Sequence, residues 1–183
     1  MRKKSRLYIG IGVVIIITLG LCYQYYRINL GVPRKFNMDK YTMEEVLKLD
    51  DFEITINNIK KGENSGDPNS KFAQDIYNLY EIDLNIKNVS SEDKPIKTFY
   101  TKSLLLNGNY MSEIPTELGS EEMDIVLKSQ EEKNIKLTYN LSIADESLPF
   151  EFYPPRELYT SDIKKDLEDL KMCQKYIELY MNK

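Results

Sequence analysis

The chain predicts a mainly β protein, an antiparallel β-sandwich set between an N-terminal transmembrane helix and a C-terminal amphipathic α-helix. Three observations carry that reading. No charged residue occurs from Leu7 to Tyr23 (LYIGIGVVIIITLGLCY). Leu7 to Tyr26 rises about 30 Å as a helix, the thickness of a bilayer's hydrocarbon core. Between residues 52 and 153, several short stretches alternate apolar and polar residues, the period that puts one strand face on a core. After Ser161 the period changes: Ile163, Leu167, Leu170, Cys173, Ile177 and Tyr180 recur at spacings of three and four. That is one stripe of a helix over about 161–181.

The first 40 residues divide into a basic cytoplasmic tail (1–6), a signal-anchor span (7–26) and a linker (27–40). Arg2, Lys3, Lys4 and Arg6 precede the apolar run, and Tyr23, Tyr25 and Tyr26 follow it. Tyrosines suit an interfacial belt, with the ring in lipid and the hydroxyl in water. Lipid offers no partners to backbone N–H and C=O groups, so such a span must be helical. Gly31-Val32-Pro33 stops the helix, because proline lacks an N–H and disfavours helix before it. A basic start also opens a cleaved signal peptide, and Cys22 suggests lipid attachment. Thr18-Leu19-Gly20 is a poor cleavage site, however, and Leu21 stands where lipidation wants Gly, Ala or Ser. The compact basic cluster argues for a cytoplasmic N-terminus and an extracytoplasmic domain on a single-pass protein of the cell membrane. Arg27, Arg34, Lys35 and Lys40 on the other flank make that asymmetry slight.

Beyond the anchor, about 155 residues suffice for one domain with its own core. Setting aside the four leading basic residues leaves 21 basic and 29 acidic ones, a net charge of −8. That balance opposes nucleic acid as a partner, since phosphates need a basic face. The absence of histidine removes Ser-His-Asp triads, Cys-His pairs and His-ligated zinc in cis. Cys22 and Cys173 are expected to be unpaired, so no disulfide framework is implied.

Residues 41–156 read as the sandwich. Thr42-Met43-Glu44-Glu45 has capping-box spacing, which leaves open a short helix between Asp39 and Leu49 or an irregular lead-in. Phe52, Ile54 and Ile56 alternate with polar residues, as do Tyr80, Ile82, Leu84 and Ile86, and then Ile135, Leu137, Tyr139 and Leu141. Lys61–Lys71 is a polar loop, Asn88–Lys94 a turn, and Pro95–Tyr100 begins an extended stretch. Asn107-Gly108 predicts a hairpin, because both central residues of a type I′ turn need φ > 0. Residues 113–128 form a long connection. Phe150 and Phe152 make a short last strand, ended by Pro154-Pro155. Residues 157–183 then hold the C-terminal helix, with Thr160 or Ser161 as cap and Asp162 at the positive end of its dipole. Short alternating strands with turn signals between them point to an antiparallel sandwich.

The order of these segments resembles an uncharacterised immunoglobulin-like domain of membrane- or lipid-anchored envelope proteins of Gram-positive bacteria. An anchor is followed by YTMEEVLKLDDFEITINNI, by YEIDLNIKNVSSEDKPI with its Asn-rich turn, by SLLLNGNYM and by SQEEKNIKLTYNLS. The resemblance covers about residues 41–153. Glu131-Glu132-Lys133 stands where that family commonly has a glycine, and the 161–181 segment is an addition. The resemblance implies architecture and location and no enzymatic activity.

Chemistry-bearing clusters have simpler explanations. Asp50, Asp51 and Glu53, or Gly66-Asp67-Pro68-Asn69, place oxygens together for calcium but lack the spacing of a dedicated loop. Glu121, Glu122 and Asp124, and Glu131-Glu132, offer carboxylate pairs for glycoside hydrolysis without a signature. Ser161 and Lys164 have serine–lysine spacing at a helix start, where serine is a common cap. Asn88-Val89-Ser90 and Asn140-Leu141-Ser142 are glycosylation sequons. No catalytic, cofactor or metal residue is assigned. Among 14 tyrosines, Tyr77, Tyr100, Tyr110, Tyr153 and Tyr159 fall near strand ends or loops and are the candidate interaction surface. The expectation is a membrane-anchored extracytoplasmic module, held in the lipid bilayer by residues 7–26, that binds a protein partner. The alternatives are an immunity protein neutralising a secreted basic toxin and, from another class, an envelope hydrolase.

Overall fold

The computed structural model describes residues 2–30, 32–33, 35–62, 78–108, 110–112, 124–141 and 144–181. The chain is mainly β and sandwich-like. It opens with α1 (Arg2–Ile28) and continues through β1 (Lys35–Thr42), β2 (Leu47–Lys48), β3 (Phe52–Lys61) and β4 (Asn78–Asn88). Then come β5 (Lys94–Pro95), α2 (Lys97–Lys102), β6 (Leu104–Asn107), β7 (Tyr110–Ser112) and β8 (Val126–Leu127). The chain ends with β9 (Glu132–Leu141), β10 (Phe150–Tyr153), α3 (Thr160–Glu168) and β11 (Lys171–Leu179). One sheet has the order β1-β11-β10-β6-β7, the other β2-β3-β4-β9, and β5 pairs with β8. Among the described residues, no helix is long and apolar enough to cross a membrane.

The alternation read from the sequence buries the residues it singled out. Tyr80, Ile82, Leu84 and Ile86 of β4 and Leu137 and Tyr139 of β9 are fully buried. In β3, Ile56 and Ile59 have opposite parity yet both reach the core. The register shifts between Ile56 and Asn58, so Asn57 is an extra residue that resets which face points inward. The sheets meet through aromatic contacts: Tyr80 on Phe150 at 4.8 Å between ring centroids, and Phe52 edge-on to Phe99 at 5.5 Å. Tyr139 and Ser103 share a 2.5 Å hydrogen bond inside, and burial raises the Tyr139 pKa well above the ordinary phenol value.

Three segments depart from expectation, and in a fourth, 39–49, one of two open readings is settled. The predicted C-terminal helix ends at Glu168, and Lys171–Leu179 is a strand, parallel to β1 and antiparallel to β10. Cys173, Lys175, Ile177 and Leu179 are its buried positions, a period of two hidden because the second of them is a lysine. The positions expected to form a helical stripe therefore split. Cys173 and Ile177 are buried in the strand, while Leu167 is exposed on α3. The predicted linker 27–40 is divided between the end of α1 and most of β1, which has the alternating burial of a strand. No helix forms between Asp39 and Leu49. The Glu45 carboxylate still accepts the Thr42 N–H at 2.7 Å, so one half of the capping box serves a turn in which Glu44 has φ 71°. Lys97–Lys102, expected as extended, is helix α2, and it buries Phe99 and Tyr100.

The hairpin occurs one residue later than its sequence signal. Asn107 pairs with Tyr110, so the connecting residues are 108 and 109, and Gly108 takes φ 60°. Asn107 belongs instead to the buried end of β6. Its side-chain oxygen accepts the Asp145 N–H at 2.7 Å and its amide points at the carbonyls of Asp145, Leu148 and Pro149.

Cys22 and Cys173 are both free. Burial, followed by the nearby carboxylates of Asp39 and Asp166, pushes the Cys173 thiol up to about 11. A thiol reagent at pH 8 is therefore expected to leave Cys173 unmodified until the protein is denatured. Counting modified thiols in a Cys22→Ser variant, before and after adding denaturant, checks this.

Candidate functional site

The two outer faces of the sandwich differ in chemistry. On the four-stranded sheet, most residues that alternate with the core positions are charged, amide- or hydroxyl-bearing. Glu81 takes ion pairs from Lys60 (3.2 Å) and Lys136 (3.4 Å), and Asn85 donates to Glu132 at 2.6 Å. Desolvation opposes ionisation of Glu81, but the two lysines prevail and hold its carboxyl below the usual range. A shallow hollow of about 220 Å³ lies here, lined by Val46, Glu53, Thr55, Asn85, Lys87 and Glu132. It falls short of the roughly 300–1,000 Å³ typical of small-molecule pockets.

The five-stranded sheet is different. Tyr41 and Cys173 pack in or against the core, so their in-register neighbours of opposite parity point outward. The outward row on β1 is Phe36, Met38 and Lys40, and on β11 it is Met172, Gln174, Tyr176 and Glu178. On β10 it is Glu151 and Tyr153, and on β6 Leu104 and Leu106. Phe36 and Met38 are 66% and 49% exposed. Tyr153 and Tyr176 stack with centroids 5.5 Å apart. Carboxylates fix the polar edges: Tyr153 donates to Glu151 at 2.6 Å, Tyr180 to Glu178 at 2.8 Å, and Lys40 pairs with Glu178 at 2.7 Å. Aromatic and thioether side chains here stand between hydrogen-bonded charges.

Three of the five tyrosines expected at an interaction surface are covered in the folded chain. Tyr100, Tyr153 and Tyr159 are buried, Tyr153 through its stack and the other two inside the sandwich. Tyrosine supplies large apolar area, and at these three positions that area is covered. Tyr77 and the Tyr110 side chain lie outside the described residues. The exposure of Phe36 and Met38 has a sequence signal in KFNMDKYT, which alternates with period two.

The proposed chemical clusters dissolve into structural roles. Asp51 pairs with Lys94 at 3.1 Å and Glu53 with Lys48 at 3.6 Å, away from any shared calcium position. Asp50 accepts hydrogen bonds from Thr160 and Ser161 at the start of α3. Burial would raise its pKa, yet the bonds from Ser161 and Thr160 hold it below the usual value. The contribution of Asp50 is thus complete above the unfolded pKa near 4 and lost as pH falls through the lower folded value. Asp50→Ala is expected to cost about 1 kcal/mol, as for other lost helix caps, and to remove part of the acid-induced loss, measured by urea unfolding at pH 7 and pH 3. Ser161 is occupied by the same bond, which leaves no catalytic geometry with Lys164. Glu131 accepts the Lys128 N–H at 2.7 Å while Glu132 serves Asn85. Glu121, Glu122 and the 66–69 loop lie outside the described residues. Among the described residues, no group of three potential metal ligands is present.

The sequon asparagine Asn88 is fully buried. Its amide nitrogen lies within hydrogen-bonding distance of the carbonyls of Glu92 (2.8 Å), Leu127 (3.0 Å) and Lys128 (3.1 Å), and its oxygen accepts from Ser90. It is a clamp between two turns, inaccessible to a glycosyl transfer reaction on the folded chain.

No protein family matches the chain, and no curated protein is similar to it. Solved structures give distant likenesses. An uncharacterised β-sandwich protein of Clostridium difficile is 13% identical, with a TM-score of 0.48 over 79% of this chain and 96% of that one. The yjhA protein of Bacillus subtilis is 13% identical, with a TM-score of 0.44 over 76% and 98% of the two chains. A functionally unknown protein of Listeria monocytogenes is 16% identical, with a TM-score of 0.42 over 64% and 74%.

Proposed function

We propose that this chain is a single-pass, membrane-anchored, immunoglobulin-like module of the cell envelope. It binds a protein partner on the outer face of its five-stranded sheet and performs no catalysis of its own. The observation that carries the reading is the contrast between the two outer faces. One is covered by ion pairs and amides; the other presents Phe36, Met38, Met172 and Tyr176 between charged edges. Exposed apolar surface of this kind costs solubility and is retained where something covers it. The anchor rests on the uncharged run of residues 7–23, which lies within α1 and leaves Val13 to Ile17, Leu19 and Leu21 exposed; by its described residues alone α1 is not long and apolar enough to cross a membrane. Water solvates such a helix poorly, and lipid solvates it well. The basic residues at its start argue for a cytoplasmic N-terminus.

Two experiments test this. Protease shaving of intact cells, with a tag after residue 183, should remove the tag and leave an N-terminal fragment protected. Survival of the tag until lysis would place the domain in the cytoplasm. For the surface, photo-crosslinking from position 38 on intact cells is expected to capture a partner protein. Phe36→Glu should abolish that product, while Lys136→Glu on the opposite face leaves it unchanged. Equal capture by both variants would reject the assigned face.

A further inference from the structure

β1 is the outermost strand of its sheet. β11 pairs along one edge, and no described strand pairs along the other. A free edge presents unpaired N–H and C=O groups that invite another strand. Proteins blunt such edges with charged side chains, and block them outright with proline, bulges or very short strands; β1 carries the charges Lys35, Asp39 and Lys40 but no structural block. It is eight residues long, proline-free, and pairs with β11 without a register shift, and its charges can be matched by a second copy.

Its sequence is complementary to itself. Laid antiparallel on a second copy with Asn37 on the two-fold axis, Lys35 lies opposite Asp39 of the other copy, and Phe36 lies opposite Met38. Parity is respected, because residues 35, 37 and 39 share one face and residues 36 and 38 the other. Cross-strand pairs of opposite charge and of apolar side chains are the units that stabilise a sheet. Neighbouring registers are worse. An axis at Met38 sets Phe36 against Lys40 and loses the charge pair; an axis at Asp39 sets two carboxylates against each other. A one-residue slip puts inward residues opposite outward ones. Among the described residues, neither Lys35 nor Asp39 forms an ion pair within its own chain.

We propose that two copies of this chain pair through β1, antiparallel and centred on Asn37, to join their five-stranded sheets into one. Two Lys35–Asp39 pairs and two Phe36–Met38 contacts close the seam. The apolar outer faces of the two copies become continuous, with the exposed Phe36 and Met38 side chains at their junction. The inference stands apart from the membrane reading but shares Phe36 and Met38 with the proposed partner face; a crosslink from position 38 to a second copy of this chain supports the pairing, and one to a different protein supports that face.

Light scattering of the full chain in detergent micelles tests it. The unsubstituted protein should be a dimer at tens of micromolar. Lys35→Asp and Asp39→Lys should each weaken dimerisation by roughly ten-fold or more, by placing like charges opposite one another. The double swap Lys35→Asp/Asp39→Lys should restore it. Near-ultraviolet circular dichroism of tyrosine verifies that each variant is folded. Should Asp39→Lys fail to fold, a mixture of Phe36→Cys and Met38→Cys chains on a Cys22→Ser background should form an intermolecular disulfide under mild oxidation. A monomer at all concentrations, a dimer indifferent to both charge changes, or a disulfide formed by Met38→Cys alone and not by the mixture would overturn the proposal.

Discussion

Replacing Asp162 with alanine is expected to lower the unfolding free energy by about 2–3 kcal/mol, whereas replacing Lys175 with methionine should change it by less than about 1.5 kcal/mol. The asymmetry follows from burial. Lys175 is 5% exposed, its ammonium 2.5 Å from the Asp162 carboxylate and 2.9 Å from the Lys48 carbonyl, and 5.7 Å from the centre of the Tyr159 ring. Removing the carboxylate leaves a desolvated cation with one neutral acceptor. Removing the cation leaves a carboxylate whose side chain is 46% exposed and can be hydrated. That exposure also places the Asp162 effect below the roughly 3–5 kcal/mol found when a fully buried pair is broken. Methionine fills the volume of the lysine stem without a charge. Urea unfolding followed by circular dichroism measures both variants. Equal losses for the two would mean that shape, rather than charge, holds this junction.

The same pair sets an alkaline limit. Burial pulls the Lys175 pKa down, but the hydrogen bond and charge of Asp162 pull it up further, so it lies above its ordinary value of 10.5. A raised folded-state pKa contributes stability in full below the unfolded value and loses it as pH climbs through the folded one. Stability is therefore expected to hold to about pH 10 and then to fall, and the fall should be smaller in Lys175→Met.

Asn88→Ala is expected to cost about 2–4 kcal/mol, and Asn88→Asp at least as much. The alanine leaves three carbonyls without their shared donor and Ser90 without its acceptor, inside the protein, where each unsatisfied group costs on the order of 1 kcal/mol or more. Aspartate keeps the acceptor but turns a carboxylate toward those carbonyls. Thermal unfolding by circular dichroism reads the loss. If Asn88→Asp proved neutral, the amide would have been donating to water instead of holding the 88–93 and 127–131 turns together.

Much of the four-stranded sheet is legible in the sequence. Tyr80 to Ile86 and Ile135 to Leu141 alternate without exception, and each apolar residue found the core. Local periodicity was enough there because one face of each strand meets a core and the other meets water. The five-stranded sheet is less legible, and so is the surface on it. β11 carries a lysine at a core position, and only Asp162 from α3 and the Lys48 carbonyl from β2 make that tolerable. Read without those partners, the same residues match a helical stripe as well as a strand. β1 is hard to read as a strand because both its parities carry charge: Lys40 pairs with Glu178 on the outer face, and Asp39 lies in register with Lys175 on the inner one.

The sequence by itself determined the β class, the two long inner strands, the position of the hairpin to within a residue, and the apolar run at the N-terminus. Each is a local property, decided by side-chain periodicity or by the φ that one residue tolerates. The tertiary structure alone decided that 171–179 is a strand, that 35–42 is its parallel neighbour, and that Tyr100 and Tyr159 are buried while Phe36 and Met38 remain outside. Those outcomes depend on which distant residue neutralises a buried charge and on which strand ends at an edge, and neither is encoded within any single segment of the chain.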